Sequence, residues 1–542
     1  MSSAARLVHA VSGLSDPGDF MLRCARALAV TIVALAMGAC SSLPTDTKHP
    51  SKALPPATAT PTGSYIHAQV DQHQDQSGFR LLTLNTNALL SRIALADHAQ
   101  HSIDLQYYIF DNDETGRLVA LHLLQAADRG VRIRLLLDDI NVRNEVDMLD
   151  ALDAHPNIEI RLFNPFSTHN PSFLSKAMQF MLDAHRLNRR MHNKSFIVDG
   201  NVAVVGGRNI GNGYFDAGDN TNFRDLDLIA IGPVVKEASR TFDDYWNCDA
   251  AYPLKAFQGN HADHYDLAKL RTDLARDART FAQSDYAQST LDELPNGPSA
   301  DHPGAWFWGT AVLVADQPEK IETDHDEPAL RIGPQIRALS DGAQQQLLLI
   351  SPYFIPGDKG VDYLGSLVSR GVTVKVLTNS LASTDEPAVH AGYAHYRAPL
   401  LHKGVSIYEL RPAAGAAQKV TGRGTSSGVS LHAKAIVVDQ EQVFIGSMNM
   451  DQRSKLLNTE MGIIVDSPKL AQAVEQFFDS AVLPANAYHV VLRNPDSPRS
   501  HALQWQASNG DKPLHYNRDP DAALQRRLEV DLLKLLPIDD ML

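Results

Sequence analysis

The sequence predicts an α/β protein in which one layered domain is written twice. Stretches of alternating apolar and polar residues are joined to stretches of helical apolar spacing, in the order strand, helix, strand. That order occurs twice, and matching residues of the two copies lie about 240 positions apart. A long constant offset of this kind marks a duplicated domain.

The 542 residues are enough for three or so domains, and 44% hydrophobic with 21% charged content fits a globular body. Basic residues number 49 against 63 acidic, a net charge of -14. That is the wrong sign for a protein whose affinity rests on counterion release from nucleic acid, so any phosphate site must be local.

Residues 1–39 are expected to be a signal peptide. Met21 opens a second possible start, Arg23 and Arg26 precede an apolar run from Ala27 to Met37, and Gly38 and Ala39 follow it. At about 1.5 Å per residue the run falls well short of a roughly 30 Å hydrocarbon core and reads as a signal h-region. Met37-Gly38-Ala39-Cys40 resembles the lipobox of bacterial lipoproteins, which implies cleavage before Cys40 and lipidation there; ordinary signal cleavage near Ala39 is the alternative. By the same resemblance, Ser41 implies an outer-membrane protein facing the periplasm of a bacterial envelope.

Residues 40–79 read as a flexible tether, because Ser, Pro, Thr and Ala dominate from Ser41 to Gly63. With Cys24 in the signal and Cys40 lipidated, Cys248 is a lone thiol and the mature chain has no intrachain disulfide.

The first domain is placed at 80–250. Ile103 to Phe110 alternates, Leu118 to Ala127 has helical spacing, and after Arg129-Gly130 comes the run Val131 to Leu137. A further strand lies in Ile158 to Pro165. The second domain, 341–490, repeats the order with Leu347 to Ile350, Val361 to Val368, Arg370-Gly371, Val372 to Leu377, and Val405 to Pro412. Between them, 251–340 reads as connector and edge structure, with a polar helical stretch from Ala262 to Gln283 and an aromatic run at Trp306 to Trp308. Residues 491–542 form a C-terminal extension.

The chemistry sits in two matching strings. The first, MHNKSFIVDGNVAVVGGRN, contains His192, Lys194, Asp199, Gly206, Gly207 and Asn209; the second, LHAKAIVVDQEQVFIGSMN, contains His432, Lys434, Asp439, Gly446, Ser447 and Asn449. A single His-Lys-Asp triple at this spacing arises by accident in roughly one chain in fifteen, and two with the same tail far more rarely. His and Lys are separated by one residue and lead into β-branched runs, so both side chains leave one face of a strand and reach the same substrate group. Lysine and asparagine supply donors for a phosphoryl oxygen, and histidine switches between nucleophile, base and acid near neutral pH.

Two such strands meeting at a pseudo-twofold interface would let one neutral imidazole attack phosphorus while the other, protonated, serves the leaving oxygen. Each ring then needs a carboxylate partner to fix its tautomer. Glu460, 28 residues after His432, and Asp225, 33 after His192, open similar strands, EMGIIV and DLDLIA; that analogy of position, with the alternation that points them alike, makes Asp225 rather than Asp227 the counterpart of Glu460.

The doubled His-x-Lys-x4-Asp motif resembles the phospholipase D superfamily. Longer strings, among them IDLQYYIFDNDETGRL, LNRRMHNKSFIVDG, LTNSLASTDEPAVHAGYAHYR and SKLLNTEMG, resemble its cardiolipin synthase C type from about residue 80 to 490. The resemblance implies two α-β-α sandwich domains related by a pseudo-twofold axis and sharing one active site. It also implies phosphatidyl transfer through a phosphohistidine. In that scheme His192 and His432 are nucleophile and general acid/base, with His192 favoured as nucleophile by family habit. Lys194, Lys434, Asn209 and Asn449 hold the phosphate, and Asp199 and Asp439 are structural.

Implied substrates are phosphatidylglycerol and a second phospholipid such as phosphatidylethanolamine, met at the membrane through the lipid anchor, by a chain that functions as a monomer. No metal, cofactor or nucleic acid is expected. Hydrolysis to phosphatidic acid, nuclease-type phosphodiester cleavage and a non-enzymatic envelope lipoprotein are the alternatives. Arg186, Arg189 and Arg190 are candidates for headgroup contact or for a solvated surface. Phe173 to Leu182 and Leu524 to Leu536 read either as interfacial elements or as helices packed on the body.

Overall fold

A computed structural model describes residues 43–44, 48–144, 146–167, 173–218, 221–258, 266–288, 306–323, 327–412, 428–497 and 501–534. The expected signal peptide and Cys40 lie outside the described residues.

The first half supplies strands β1 (Ser77–Leu82), β2 (Ser102–Tyr107), β3 (Arg132–Asp138), β4 (Ile158–Phe163), β5 (Ser195–Val198), β6 (Val202–Gly206), β7 (Thr221–Arg224), β8 (Asp227–Ile231) and β9 (Ala251–Pro253). The second supplies β10 (Phe307–Ala315), β11 (Gln346–Ile350), β12 (Thr373–Asn379), β13 (Ser406–Leu410), β14 (Gly428–Leu431), β15 (Ala435–Val438), β16 (Gln442–Gly446), β17 (Met461–Asp466) and β18 (Ala487–Leu492). Two further strands, β19 (Leu503–Asn509) and β20 (Lys512–Tyr516), follow.

Hydrogen bonding orders the first half 9-4-3-2-5-6-8-1 and the second 10-17-16-15-11-12-13-18. Read outward from the seam, the two orders correspond strand for strand. The predicted βαβ units appear as parallel β2–β3 and β11–β12, with helices Glu114–Asp128 and Gly357–Ser369 between them. Each helix ends at the Arg-Gly pair, where Gly130 (φ 94°) and Gly371 (φ 95°) take the left-handed turn that a side chain disfavours.

Helices cover both faces. Leu228 and Ala230 of β8 point into a central core, and Ile229 between them points the other way. That core joins Phe242 and Trp246 of helix Pro233–Asn247 to Val474 and Phe478 of helix Pro468–Ala481, so the two halves share it. Outer cores lie under helices Asn85–His98 and Glu114–Asp128 in the first half and under Gly333–Asp341 and Gly357–Ser369 in the second.

Two parts of the sequence reading change. The aromatic run Trp306 to Trp308, taken with the connector and edge, leads into β10, which lies mid-sheet between β1 and β17 and forms the seam between halves. The stretch read as a tether is held down from Lys48 onward. Ser51 N bonds Asn247 Oδ1 (3.1 Å), Ser51 O accepts from Arg134 (3.0 Å), and Ala53 N bonds Asp243 (2.9 Å). Helix Pro61–Val70 follows, capped by Thr60 Oγ1 on Gly63 N and started by Pro61 at its first position. Composition misled here because polar side chains of the first half satisfy the backbone at Ser51 and Ala53, and one buried isoleucine, Ile66, seats the helix on Val202 and Ile231.

Candidate active site

Two short cross-half pairings create the site. β7 runs parallel to β14, Arg224 opposite Leu431, and the amides of His432 and Ala433 both donate to Arg224 O at 2.8 and 3.0 Å. On the other side of the pseudo-twofold axis Met191 bridges Thr459; His192 N donates to Thr459 O and Thr459 N to Arg190 O, each at 2.9 Å. In both places the residue before a histidine is registered against the residue before an acid. Each histidine therefore lies beside the carboxylate of the opposite half.

His192 Nδ1 stands 2.9 Å from Glu460 Oε2, and His432 Nδ1 stands 2.6 Å from Asp225 Oδ2. The sequence spacing placed an acid after each histidine within its own half; the structure exchanges them. Of Asp225 and Asp227, Asp225 is the one beside a histidine, the residue whose position matches Glu460. Asp227 is turned to Arg92 (2.9 Å) and Arg208 (3.3 Å), a buried structural cluster. A carboxylate accepting at Nδ1 leaves Nε2 as the nitrogen with an available lone pair.

Lys194 and Lys434 lie in the same electrostatic field: both charges act on His192, and both act on Glu460's surroundings or are acted on by it. Each ammonium donates to the carbonyl of the histidine two residues earlier, Lys194 to His192 O at 2.6 Å and Lys434 to His432 O. Burial pushes the Lys434 ammonium down to about 8, against the pull of Asp225 and Glu460, and also lowers Lys194. Burial, reinforced by the lysine charges, holds His192 well below its ordinary value and His432 at about 4. Both shifts favour the neutral ring.

The carboxylates differ. Burial pushes Glu460 up to about 7 although Lys194, Ser447 and Ser454 oppose it. Burial would raise Asp225 too, but His432, Lys434 and Arg208 outweigh it and hold Asp225 low. The motif difference noted in sequence, Gly207 against Ser447, matches these partners. Ser447 Oγ donates to Glu460 Oε2 at 2.5 Å, whereas a Cβ on Gly207 would come 2.2 Å from Asp225 Oδ1. The longer acid is paired with a serine and the shorter one needs a glycine.

Asn209 and Asn449 are both buried. Asn209 Oδ1 accepts from Ile109 N (3.2 Å) and its Nδ2 donates to Tyr214 OH (2.8 Å), while Asn449 Oδ1 has no partner. Asp199 and Asp439 take left-handed turns (φ 54° and 52°) and accept from three successive amides each: Gln100, His101 and Ser102 at 2.7–3.0 Å, and Gln344, Gln345 and Gln346 at 2.7–2.9 Å. They fix where the chain enters β2 and β11.

The three arginines before His192 serve the protein. Arg190 is buried on Asp138 (2.9 Å), Arg189 donates to Ile321 O and Thr323 O, and Arg186 to Asn164 and Pro165 O. Asp138 also accepts from Met191 N (2.8 Å), and its counterpart Asn379 accepts from Leu431 N (2.8 Å), so each orients the chain just before a histidine. These two were missed, although they are separated by the same 241 residues as the Arg-Gly pairs. Aromatic walls were also missed: Tyr108 lies edge-on to His192 and Tyr214 to His432, both with centroids 5.1 Å apart, and nothing in spacing marks them.

With this geometry in view, the chain matches the family model described as "Cardiolipin synthase, PLD-like domain" over residues 93–246 and 336–482. The chain belongs to that family. The two matched blocks are the two halves whose histidines and acids pair across the axis, His192 with Glu460 and His432 with Asp225. "Cardiolipin synthase C" of Escherichia coli (strain K12) is 40% identical over 481 residues, covering 87% of this chain and 97% of that protein. "Cardiolipin synthase 2" of Staphylococcus epidermidis is 25% identical, covering 70% of this chain and 63% of its own length. Among solved structures, phosphatidylserine synthase of Haemophilus influenzae superposes with a TM-score of 0.52 at 12% identity, over 88% of this chain and 99% of that one. At that identity the likeness speaks for the shared fold.

Proposed function

We propose that this member of the family is a membrane-associated phosphatidyltransferase that makes cardiolipin from phosphatidylglycerol and a second phospholipid. The observation that carries the reading is the pair of buried imidazoles, each on a carboxylate of the other half, with two lysines in the same field. The 40% identity to the Escherichia coli protein, over nearly all of its length, supports the choice of reaction.

A phosphodiester headgroup neutralises Lys194 and Lys434 on entry and so lifts the imidazole pKa values, giving the site the one proton it lacks when empty. That proton goes to His432, whose partner Asp225 is ionised; Glu460, pushed to about 7, favours the cation at His192 less. His192 Nε2 then attacks phosphorus as the bond to the leaving alkoxide breaks, and His432 gives that oxygen its proton. Neutral His432 next takes the proton of a glycerol hydroxyl of phosphatidylglycerol. The resulting oxygen nucleophile displaces His192 from the phosphatidyl group. Lys194, Lys434, Asn209 and Asn449 hold the phosphoryl oxygens. The membrane is reached through a lipid on Cys40 at the outer membrane.

Purified protein incubated with phosphatidylglycerol vesicles is expected to yield cardiolipin by lipid mass spectrometry, and to carry a phosphatidyl group on His192 after quenching in alkaline detergent, where a phosphohistidine bond survives. Phosphatidic acid alone would make it a hydrolase, and nucleotide release from single-stranded DNA without lipid product would make it a nuclease.

A further inference from the structure

Large apolar side chains rarely stand exposed in patches on a folded protein. Among the described residues eleven do, and seven of them belong to two ten-residue helices. Helix Phe173–Leu182 exposes Met178, Phe180, Met181 (83%) and Leu182 (67%). Helix Leu524–Leu533 exposes Leu524 (71%), Leu528 (61%) and Leu532 (66%), spaced four apart and so aligned on one face, while Val530 and Leu533 pack on the body.

These helices have no sequence relation, yet they dock at equivalent places. Lys176 of the first reaches Ile140 O, in the turn Asp139–Asn144 that follows β3. Asn141 of that turn bonds Tyr108, which lies against His192. Arg526 of the second reaches Thr384 O, in the segment that follows β12, the counterpart of β3. The next residue, Asp385, bonds Tyr353 OH at 2.8 Å, and its charge acts on His432 and Lys434. The first helix is thus three contacts from His192 and the second two from His432, on opposite sides of the pseudo-twofold axis.

We infer that the two helices form one two-sided lipid-docking rim, which seats the mouth of the catalytic cleft on a phospholipid bilayer and admits lipid between them. The occupant follows from the chemistry of the cleft, and this inference rests on the phosphatidyl-transfer reading. A substrate phosphate must reach His192 and His432 while its acyl chains stay out of water, which requires apolar surface beside the mouth. Lys176, Arg526 and Arg527, bonded to main-chain carbonyls at the base of the helices, put positive charge where anionic headgroups would lie, in a chain of net charge -14. A helix lying in the interface with its leucines buried about 5–10 Å has this pattern.

The test compares the full chain with Met181→Asp/Leu182→Asp, Leu528→Asp/Leu532→Asp and the fourfold variant. Exposed positions of this kind leave folding within about 0.5 kcal/mol. Turnover of phosphatidylglycerol/phosphatidylethanolamine vesicles is expected to fall at least tenfold in each pair and at least a hundredfold in the fourfold variant. Turnover of monomeric dihexanoyl phosphatidylglycerol should stay within twofold. Met181→Trp and Leu528→Trp should both blue-shift on those vesicles and be quenched by brominated lipid. Unchanged vesicle turnover, equal loss on both substrates, or emission indifferent to lipid would overturn the rim, as would a dimer that these variants split while vesicle turnover persists. If the unmodified chain turned over neither lipid, the phosphatidyl-transfer reading would fail, and the tryptophan spectra would still decide the rim.

Discussion

Asp225→Asn changes one charge in the pair that the structure joins across the domain interface. Asparagine keeps the shape of the side chain and removes the negative charge 2.6 Å from His432 Nδ1. For charge centres about 4 Å apart at an effective dielectric of about 20, the lost attraction is about 4 kcal/mol. At about 1.36 kcal/mol per tenfold step, the His432 imidazolium becomes about a thousandfold harder to form. If His432 protonates the leaving oxygen, kcat on phosphatidylglycerol should fall about a thousandfold. A p-nitrophenyl ester of the phosphatidyl group, whose leaving group departs without a proton, should lose no more than about tenfold. Steady-state release of p-nitrophenol beside lipid mass spectrometry reads both numbers, and circular dichroism confirms the fold. Equal losses on the two substrates, or leaving-group dependence in Glu460→Gln instead, would refute the assignment of His432 as the acid and His192 as the nucleophile.

Gly207→Ala places a Cβ 2.2 Å from Asp225 Oδ1, so the carboxylate must leave His432 and turnover should drop at least a hundredfold, whereas Ser447→Ala should cost less. Glu460 has its carboxyl pushed from 4.5 to about 7, which corresponds to about 3 kcal/mol. A raised acid favours the folded state's bound proton, so its contribution to stability is fullest below 4.5 and is lost as pH rises toward 7. The melting temperature of Glu460→Gln relative to the unmodified chain should therefore improve between pH 5 and pH 8, and a flat difference would contradict the buried environment. Activity should decline as pH rises through about 8, where Lys434 loses its charge, and Lys434→Arg should move that limb upward because a guanidinium stays protonated. Asp199→Ala or Asp439→Ala removes the acceptor of three amides; thermal unfolding should show a loss of about 2–4 kcal/mol while kcat of the folded fraction is unchanged.

Much of the fold was legible in local pattern. The βαβ units were placed within a few residues, because alternation and helical spacing reflect which face of each element is buried. The tether was misread because Ser51 and Ala53 are held by Asn247 and Asp243, partners nearly two hundred residues away that no local pattern records. The same holds for β10, whose position at the seam depends on β1 and β17 and not on its own residues.

The sequence by itself determined the inventory of the site: two histidines, two lysines and two asparagines repeated at one spacing, and an acid 28 or 33 residues after each histidine, with Asp225 preferred over Asp227 by its position matching Glu460. Only the tertiary structure decided how that inventory is shared, because hydrogen bonds between β7 and β14 and between Met191 and Thr459 cross the pseudo-twofold axis. Those bonds join His432 to Asp225 across 207 residues and His192 to Glu460 across 268. Side-chain spacing along one strand states which groups leave the same face. It carries no record of which strand from the other half arrives opposite, since that depends on how the two halves meet at the β1–β10 seam and in the core they share.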